Sequence, residues 1–82
     1  MNVPKFALVA MEMARETIEL ETKIRMYDFD LLASVKPVLM FLSKRNKKSY
    51  SDYLEEVVSD LKIGMDSDDI VCKYSRQLLQ NY

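Results

Sequence analysis

The chain contains no histidine and a single cysteine, Cys72. Imidazole proton shuttles, Ser-His-Asp and Cys-His nucleophiles, and zinc sites of the Cys2His2 kind are therefore excluded. Cys72 stands between Val71 and Lys73 with no neighbouring base to hold it as a thiolate, and it reads as a plain, partly buried cysteine. The remaining candidates are carboxylates and cations. Glu55 and Glu56 are adjacent, so on a helix they point about 100° apart and cannot share one substrate between them. Asp66, Asp68 and Asp69 are grouped as in a calcium loop, but the glycine and distal glutamate of such a loop are missing, and helix capping is the chemistry that fits. One glycine, Gly64, cannot build a phosphate-cradling loop. The expectation is a protein that is not an enzyme and carries no cofactor and no metal.

The cations are more informative, because they are clustered. Residues 1–34 carry a net charge of −2, residues 35–50 carry +5 with no acidic side chain, and residues 51–82 carry −4. Lys36, Lys44, Arg45, Lys47 and Lys48 thus form one basic patch on an otherwise acidic molecule. Such a patch can dock an acidic protein surface or phosphate, or it can be a solvated loop whose charges complement a helix C-terminus.

The elements that must position these groups are helices. One glycine and two prolines in 82 residues leave few of the turn signals that all-β and α/β chains need. The most apolar run, Val35 to Leu42, leads directly into the basic segment, and its five consecutive apolar residues from Val38 to Leu42 predict a central helix covered on most sides. Before it, Phe6, Ala10, Met13, Thr17, Leu20, Ile24 and Tyr27 recur at alternating steps of four and three, a heptad stripe that predicts one long helix over residues 3–27. Asn2 is its expected N-cap, with Pro4 in the first turn. Ala7, Met11, Ala14 and Ile18 widen the stripe in its first half, which predicts deeper burial there than near Arg25. On the outer face, Arg15 with Glu19, Glu19 with Lys23, and Glu21 with Arg25 stand at i,i+4.

Either Asp28 or Asp30 can cap the following helix. Pro37 removes the backbone bond to Ala33, so that helix is expected to kink or to break there into two. Ser49 with Asp52 marks the next start, and Tyr50, Leu54, Val57, Val58 and Leu61 its inward face, with Asp52, Glu55, Glu56, Ser59, Asp60 and Lys62 outward. Gly64 supplies a left-handed C-cap. The aspartates at 66–69 open a last helix whose Ile70, Val71, Tyr74, Leu78 and Tyr82 face inward. The expected fold is a single all-α domain over residues 1–82, a bundle of four to five helices with a long first helix.

The turn around Gly64 has a superficial likeness to a helix-turn-helix, but the following helix would bring Asp66, Asp68 and Asp69 against a polyanion. Nucleic-acid binding therefore remains a rival that rests on the basic patch 44–48 alone. No stretch is apolar enough to span a membrane, no signal-peptide cleavage site follows Phe6–Met11, and a lone cysteine suits a reducing compartment; a cytoplasmic location is expected. Met11, Met13, Met26, Met40 and Met65, with the tyrosines, suit adaptable apolar contacts. The long stripe exceeds what three short partner helices must cover, so a homo-oligomer through helix one is expected.

The run Met13-Ala-Arg-Glu-Thr-Ile-Glu-Leu-Glu21, the stretch Lys36-Pro-Val-Leu-Met-Phe-Leu42, the small size and the absence of signal or anchor resemble the small accessory proteins of T-even bacteriophages, and among them most the cytoplasmic antiholins of lysis inhibition. The resemblance implies a regulator in the host cytoplasm that binds the cytoplasmic N-terminal segment of a holin and delays lysis. It fixes no functional residue. The residues of this chain offered for such a contact are Lys44, Arg45, Lys47 and Lys48 of the basic patch and Phe6, Met13, Leu20, Ile24 and Tyr27 of the helix-one stripe. An inhibitor of a host enzyme is a further alternative.

Overall fold

The computed structural model describes residues 4–80, which form four helices and no strand: α1 (Lys5–Tyr27), α2 (Phe29–Asn46), α3 (Tyr50–Lys62) and α4 (Ser67–Gln80). The expected cap at Asn2, Val3 of the expected first helix and the inward Tyr82 lie outside the described residues, and Pro4 precedes the helix rather than standing in its first turn. α1 starts on Pro4, whose extended backbone serves as N-cap and whose carbonyl accepts from Ala7 and Leu8.

Each later junction is closed by the residue types at it. Asp28, extended at φ −156°, ends α1 by donating its N–H to the Ile24 carbonyl, and its Oδ1 accepts from Asp30 N at 3.0 Å to start α2. One residue therefore turns the corner between two helices. Ser49 Oγ accepts from Asp52 N at 3.1 Å, and Asp66 Oδ1 from Asp69 N at 2.8 Å, so both later N-termini are side-chain capped. At the end of α3, Gly64 takes φ +90°; its N–H donates to the Leu61 carbonyl and that of Met65 to the Asp60 carbonyl, the paired bonds of a Schellman motif.

Pro37 neither breaks α2 nor divides it. Leu32, Val35, Leu39 and Leu42 repeat at three and four residues on both sides of Pro37 and are all buried, so a break would take Leu39 and Leu42 out of the core. Pro37 and Ala33 lie on the exposed side, where water can satisfy the carbonyl that the ring leaves free. The count is therefore four helices. Nor is α2 covered on most sides, because Met40 and Phe41 are exposed while Leu39 and Leu42 are sealed.

α2 and α3 each pack against the three other helices, and α1 and α4 lie on opposite sides of that pair without meeting. The core comprises Leu20 and Ile24 of α1, the leucines and Val35 of α2, Tyr53, Leu54 and Val57 of α3, and Ile70 and Tyr74 of α4. Tyr53 and Tyr74 meet edge to face, with ring centroids 6.4 Å apart. Val58, Leu61, Val71 and Leu78 pack around this core as partly buried residues. Tyr53 and Asp60, outward or unassigned by residue type, are inside.

The core starts only at Leu20. From Lys5 to Glu19 no residue of α1 is buried, the reverse of the expectation that the first half would be the deeper one. The physical reason is length: 23 residues make a helix of roughly 35 Å, whereas the 13 residues of α3 make roughly 20 Å. The first half of α1 therefore projects as an arm. Accordingly the molecule measures 47 × 30 × 19 Å, and its radius of gyration of 14.0 Å exceeds the roughly 12 Å of a compact chain of this length.

Candidate interaction surface

The arm carries six exposed large apolar side chains. Phe6 is 78% exposed, Met11 61% and Ile18 62%, and Leu8, Val9 and Met13 are each about half exposed or more. Phe6 to Met11 are six consecutive apolar residues, so this part of the helix has no polar face at all. Along it the Thr17 hydroxyl donates to the Met13 carbonyl, and just beyond it the Thr22 hydroxyl donates to the Ile18 carbonyl.

Of the stripe residues singled out in the sequence, Phe6 and Met13 lie on this arm, and Tyr27 is exposed at the far end of α1. Tyr27 borders a shallow apolar hollow of about 240 Å³ with Val58 and Leu61, rimmed by Lys23 and Lys62. Leu20 and Ile24 are sealed in the chain's own core and present no surface to a partner. Leu8, Val9 and Met11 belong to the exposed patch although the heptad stripe omits them. The signal that finds them is the unbroken apolar run, the same criterion that singles out Val38–Leu42.

At the base of the arm the charge is acidic. The Glu16 carboxyl lies within hydrogen-bonding reach of Glu55 on α3 and beside Asp52 and Glu19, and this pushes its pKa above the usual carboxylate range. Next to it Glu21 is buried but satisfied: Tyr50 donates to its Oε2 at 2.8 Å and Lys36 pairs with the same oxygen at 3.1 Å. Burial, then the bond to Glu21, drives the Tyr50 phenol far above its normal pKa.

The basic patch is divided by the fold. Lys36 is held by Glu21, and Lys48 pairs with Glu56 at 2.8 Å while its Nζ lies 4.7 Å from the centre of the Tyr53 ring. Arg45 stacks its guanidinium over Phe41 at 5.8 Å. Lys47 closes α2 in the left-handed conformation at φ 51°, and it and Lys44 project into solvent. Lys44 and Lys47 thus keep the character of a solvent-facing cation pair, and Lys48 is committed to α3.

Between α3 and α4 a charged groove of about 500 Å³ runs past Asp52, Glu55 and Glu56 to Asp60. Asp60 is 5% exposed and saturated: Lys73 Nζ reaches both carboxylate oxygens at 2.9 and 3.0 Å, and Tyr74 donates to Oδ2 at 2.8 Å. Asp60 therefore offers no free acceptor to a ligand. Among the described residues no group of His, Cys, Asp or Glu could hold a metal ion, and no helix is long and apolar enough to cross a membrane. Cys72 is exposed rather than partly buried, because it falls on the outer side of α4, away from Ile70 and Tyr74.

Compared with protein-family models, with curated proteins and with solved structures, the chain matches none.

Proposed function

We propose that this chain is a non-enzymatic regulator that acts by binding another protein through the projecting half of α1. The observation that carries this reading is the arm itself: six large apolar side chains stand in water on a helix whose distal half is free of the chain's own core. A contiguous apolar exposure of this kind costs solubility and is characteristic of a surface that is covered in use. On the resemblance to T-even accessory proteins, the partner is the cytoplasmic N-terminal segment of a holin and the consequence is delayed lysis. Phe6 and Met13 make the apolar contact in this reading, with Lys44 and Lys47 available for an acidic flank of the partner.

Nucleic-acid binding is less well supported. Lys36 and Lys48 are neutralised by Glu21 and Glu56, and the N-terminus of α4 carries Asp68 and Asp69 in its first turn. Inhibition of a host enzyme would use the same arm on a different protein.

The test is titration of the purified chain with a peptide carrying the holin's cytoplasmic segment, alongside a Leu8→Glu variant. Binding that the variant abolishes supports the reading. Equal binding by both proteins moves the site off the arm. A chain that ignores the peptide but retains an RNA or DNA oligonucleotide in a salt-dependent way overturns it in favour of the basic patch.

A further inference from the structure

The arm's apolar residues are not evenly spread. Phe6, Val9 and Met13 continue along the helix the line that Leu20 and Ile24 follow into the core, so this face of the arm is the core stripe prolonged beyond the body. Beside that face, on one flank, stand Lys5 and Glu16. They are eleven residues apart, three full turns plus about 20°, and therefore lie almost in line along the helix.

In an antiparallel pair of identical helices, equal flanks meet. A two-fold axis between Ala10 and Met11 brings Lys5 of each arm beside Glu16 of the other and packs Val9 against Met13 of the other arm. A parallel pair would instead set this flank against the opposite flank of the other arm, and Lys5 would not meet Glu16. The antiparallel arrangement also fits the body: the described residues leave every residue from Lys5 to Glu19 short of full burial, so the face of the arm is open to an incoming helix. The incoming Lys5 arrives where Glu16, Glu19, Asp52 and Glu55 crowd together and where Glu16 already has an acidic neighbour in Glu55.

We propose that two copies of this chain pair through their α1 arms, antiparallel over residues 5–16, with Lys5 of each copy seated on the acidic base formed by Glu16 and Glu55 of the other. The seam covers Phe6, Val9 and Met13 of both copies, while Leu8, Met11 and Ile18 fall on the other side of the helix and stay outside it, so the contact is smaller than a standard specific interface. That size predicts a reversible dimer. Glu12, Glu16 and Glu19 on the same arm work against adsorption to an anionic membrane. The pairing rests on the arm being a protein-binding surface, and it names a second copy as an occupant.

Sedimentation equilibrium of the full chain, from about 1 µM to about 300 µM, tests it. The expected result is a monomer–dimer equilibrium that Val9→Glu shifts to monomer, with an unchanged melting temperature showing that the variant folds. Lys5→Glu and Glu16→Lys should each weaken pairing about tenfold at low salt, and the double variant, which recreates opposite charges across the axis, should regain most of the loss. A monomer at every concentration overturns the proposal, as does a dimer indifferent to Val9→Glu or one in which the two charge changes simply add. Peptide binding by a protein that sediments as a monomer would remove the pairing and leave the proposed function standing. Co-pelleting of the monomer with phosphatidylglycerol vesicles would replace the second copy by a membrane.

Discussion

Lys73 is locked onto Asp60, its ammonium within 3.0 Å of both carboxylate oxygens, and the next residue, Tyr74, places its hydroxyl on the same carboxylate. One buried acidic group thereby fixes the rotation of α4 against α3. Asp60→Ala leaves the Tyr74 hydroxyl without an acceptor inside the core and Lys73 without its partner. Since Lys73 remains partly in solvent, most of the cost is the orphaned hydroxyl and the lost packing, about 2–3 kcal/mol. Tyr74→Phe removes a single bond and should cost about 1 kcal/mol. Denaturant unfolding of the two variants checks the order, and a larger loss for Tyr74→Phe would contradict it.

Two hydrogen-bonded phenols set an alkaline limit. Tyr74 and Tyr50 are both pushed far above their ordinary value of 10.0, first by burial and then by the carboxylates of Asp60 and Glu21. In the unfolded chain these phenols ionise near 10, so above that pH the folded state holds more protons than the unfolded one. Stability is therefore full below pH 10 and falls as pH rises beyond it. Absorbance at 295 nm should show Tyr50 and Tyr74 ionising only together with the loss of helical circular dichroism.

An acid limit comes from the corner between α1 and α2. Ser67 donates to Asp28 Oδ2 at 2.6 Å, tying the start of α4 to that corner, and this bond, with the backbone N–H groups of Asp30 and Leu31, lowers the Asp28 pKa from 3.8 against some opposition from burial. The stabilisation is present above pH 3.8 and is lost as pH falls through the lowered folded value. Ser67→Ala should move the Asp28 side-chain carbon titration upward, toward 3.8, while leaving α2 capped. An unchanged titration would assign the shift to the backbone bonds instead.

The contrast between α1 and Asp60 shows what local patterns carry. Helix positions, the caps at Ser49 and Asp66, and the glycine turn at Gly64 were legible because each depends on residues within four or five of one another. Asp60 was misplaced because its residue type outweighed its spacing: Tyr53, Val57 and Asp60 follow one buried line, but the groups that satisfy the carboxylate lie 13 and 14 residues away on another helix. The arm was misread for a different reason. A heptad stripe states that a face will be covered but not by which chain, and only the lengths of α3 and α4 reveal that this chain cannot cover it. Likewise the charge cluster at 44–48 was visible, while the division of its cations between Glu56, Phe41 and solvent required the fold.

Pro37 tests whether the continuity of α2 is imposed by packing. Because the proline ring sits on the exposed side of an unbroken helix, alanine restores a backbone bond to the Ala33 carbonyl without disturbing the core. Pro37→Ala should stabilise the chain by about 1–3 kcal/mol, less whatever freedom the unfolded chain gains. Destabilisation would mean that a bend at Pro37 is needed to seat Leu39 and Leu42.

The arm provides the sharpest contrast in stability within one helix. No residue from 5 to 18 is fully buried, and a helix of that length is marginal alone in water, whereas Leu20 and Ile24 lie in the core. Leu8→Ser should therefore leave the unfolding free energy of the monomer within about 0.5 kcal/mol, while Leu54→Ala, at a fully buried site, should cost about 2–5 kcal/mol. Amide hydrogen exchange in dilute solution should follow the same division, with fast exchange up to Ile18 and protection from Glu21 onward. If the arm is protected to the same degree as Ile24 in a monomer, some part of this chain covers it and the arm is not a free surface. If protection of residues 5–18 rises with protein concentration while that of Ile24 stays constant, the cover is a second copy.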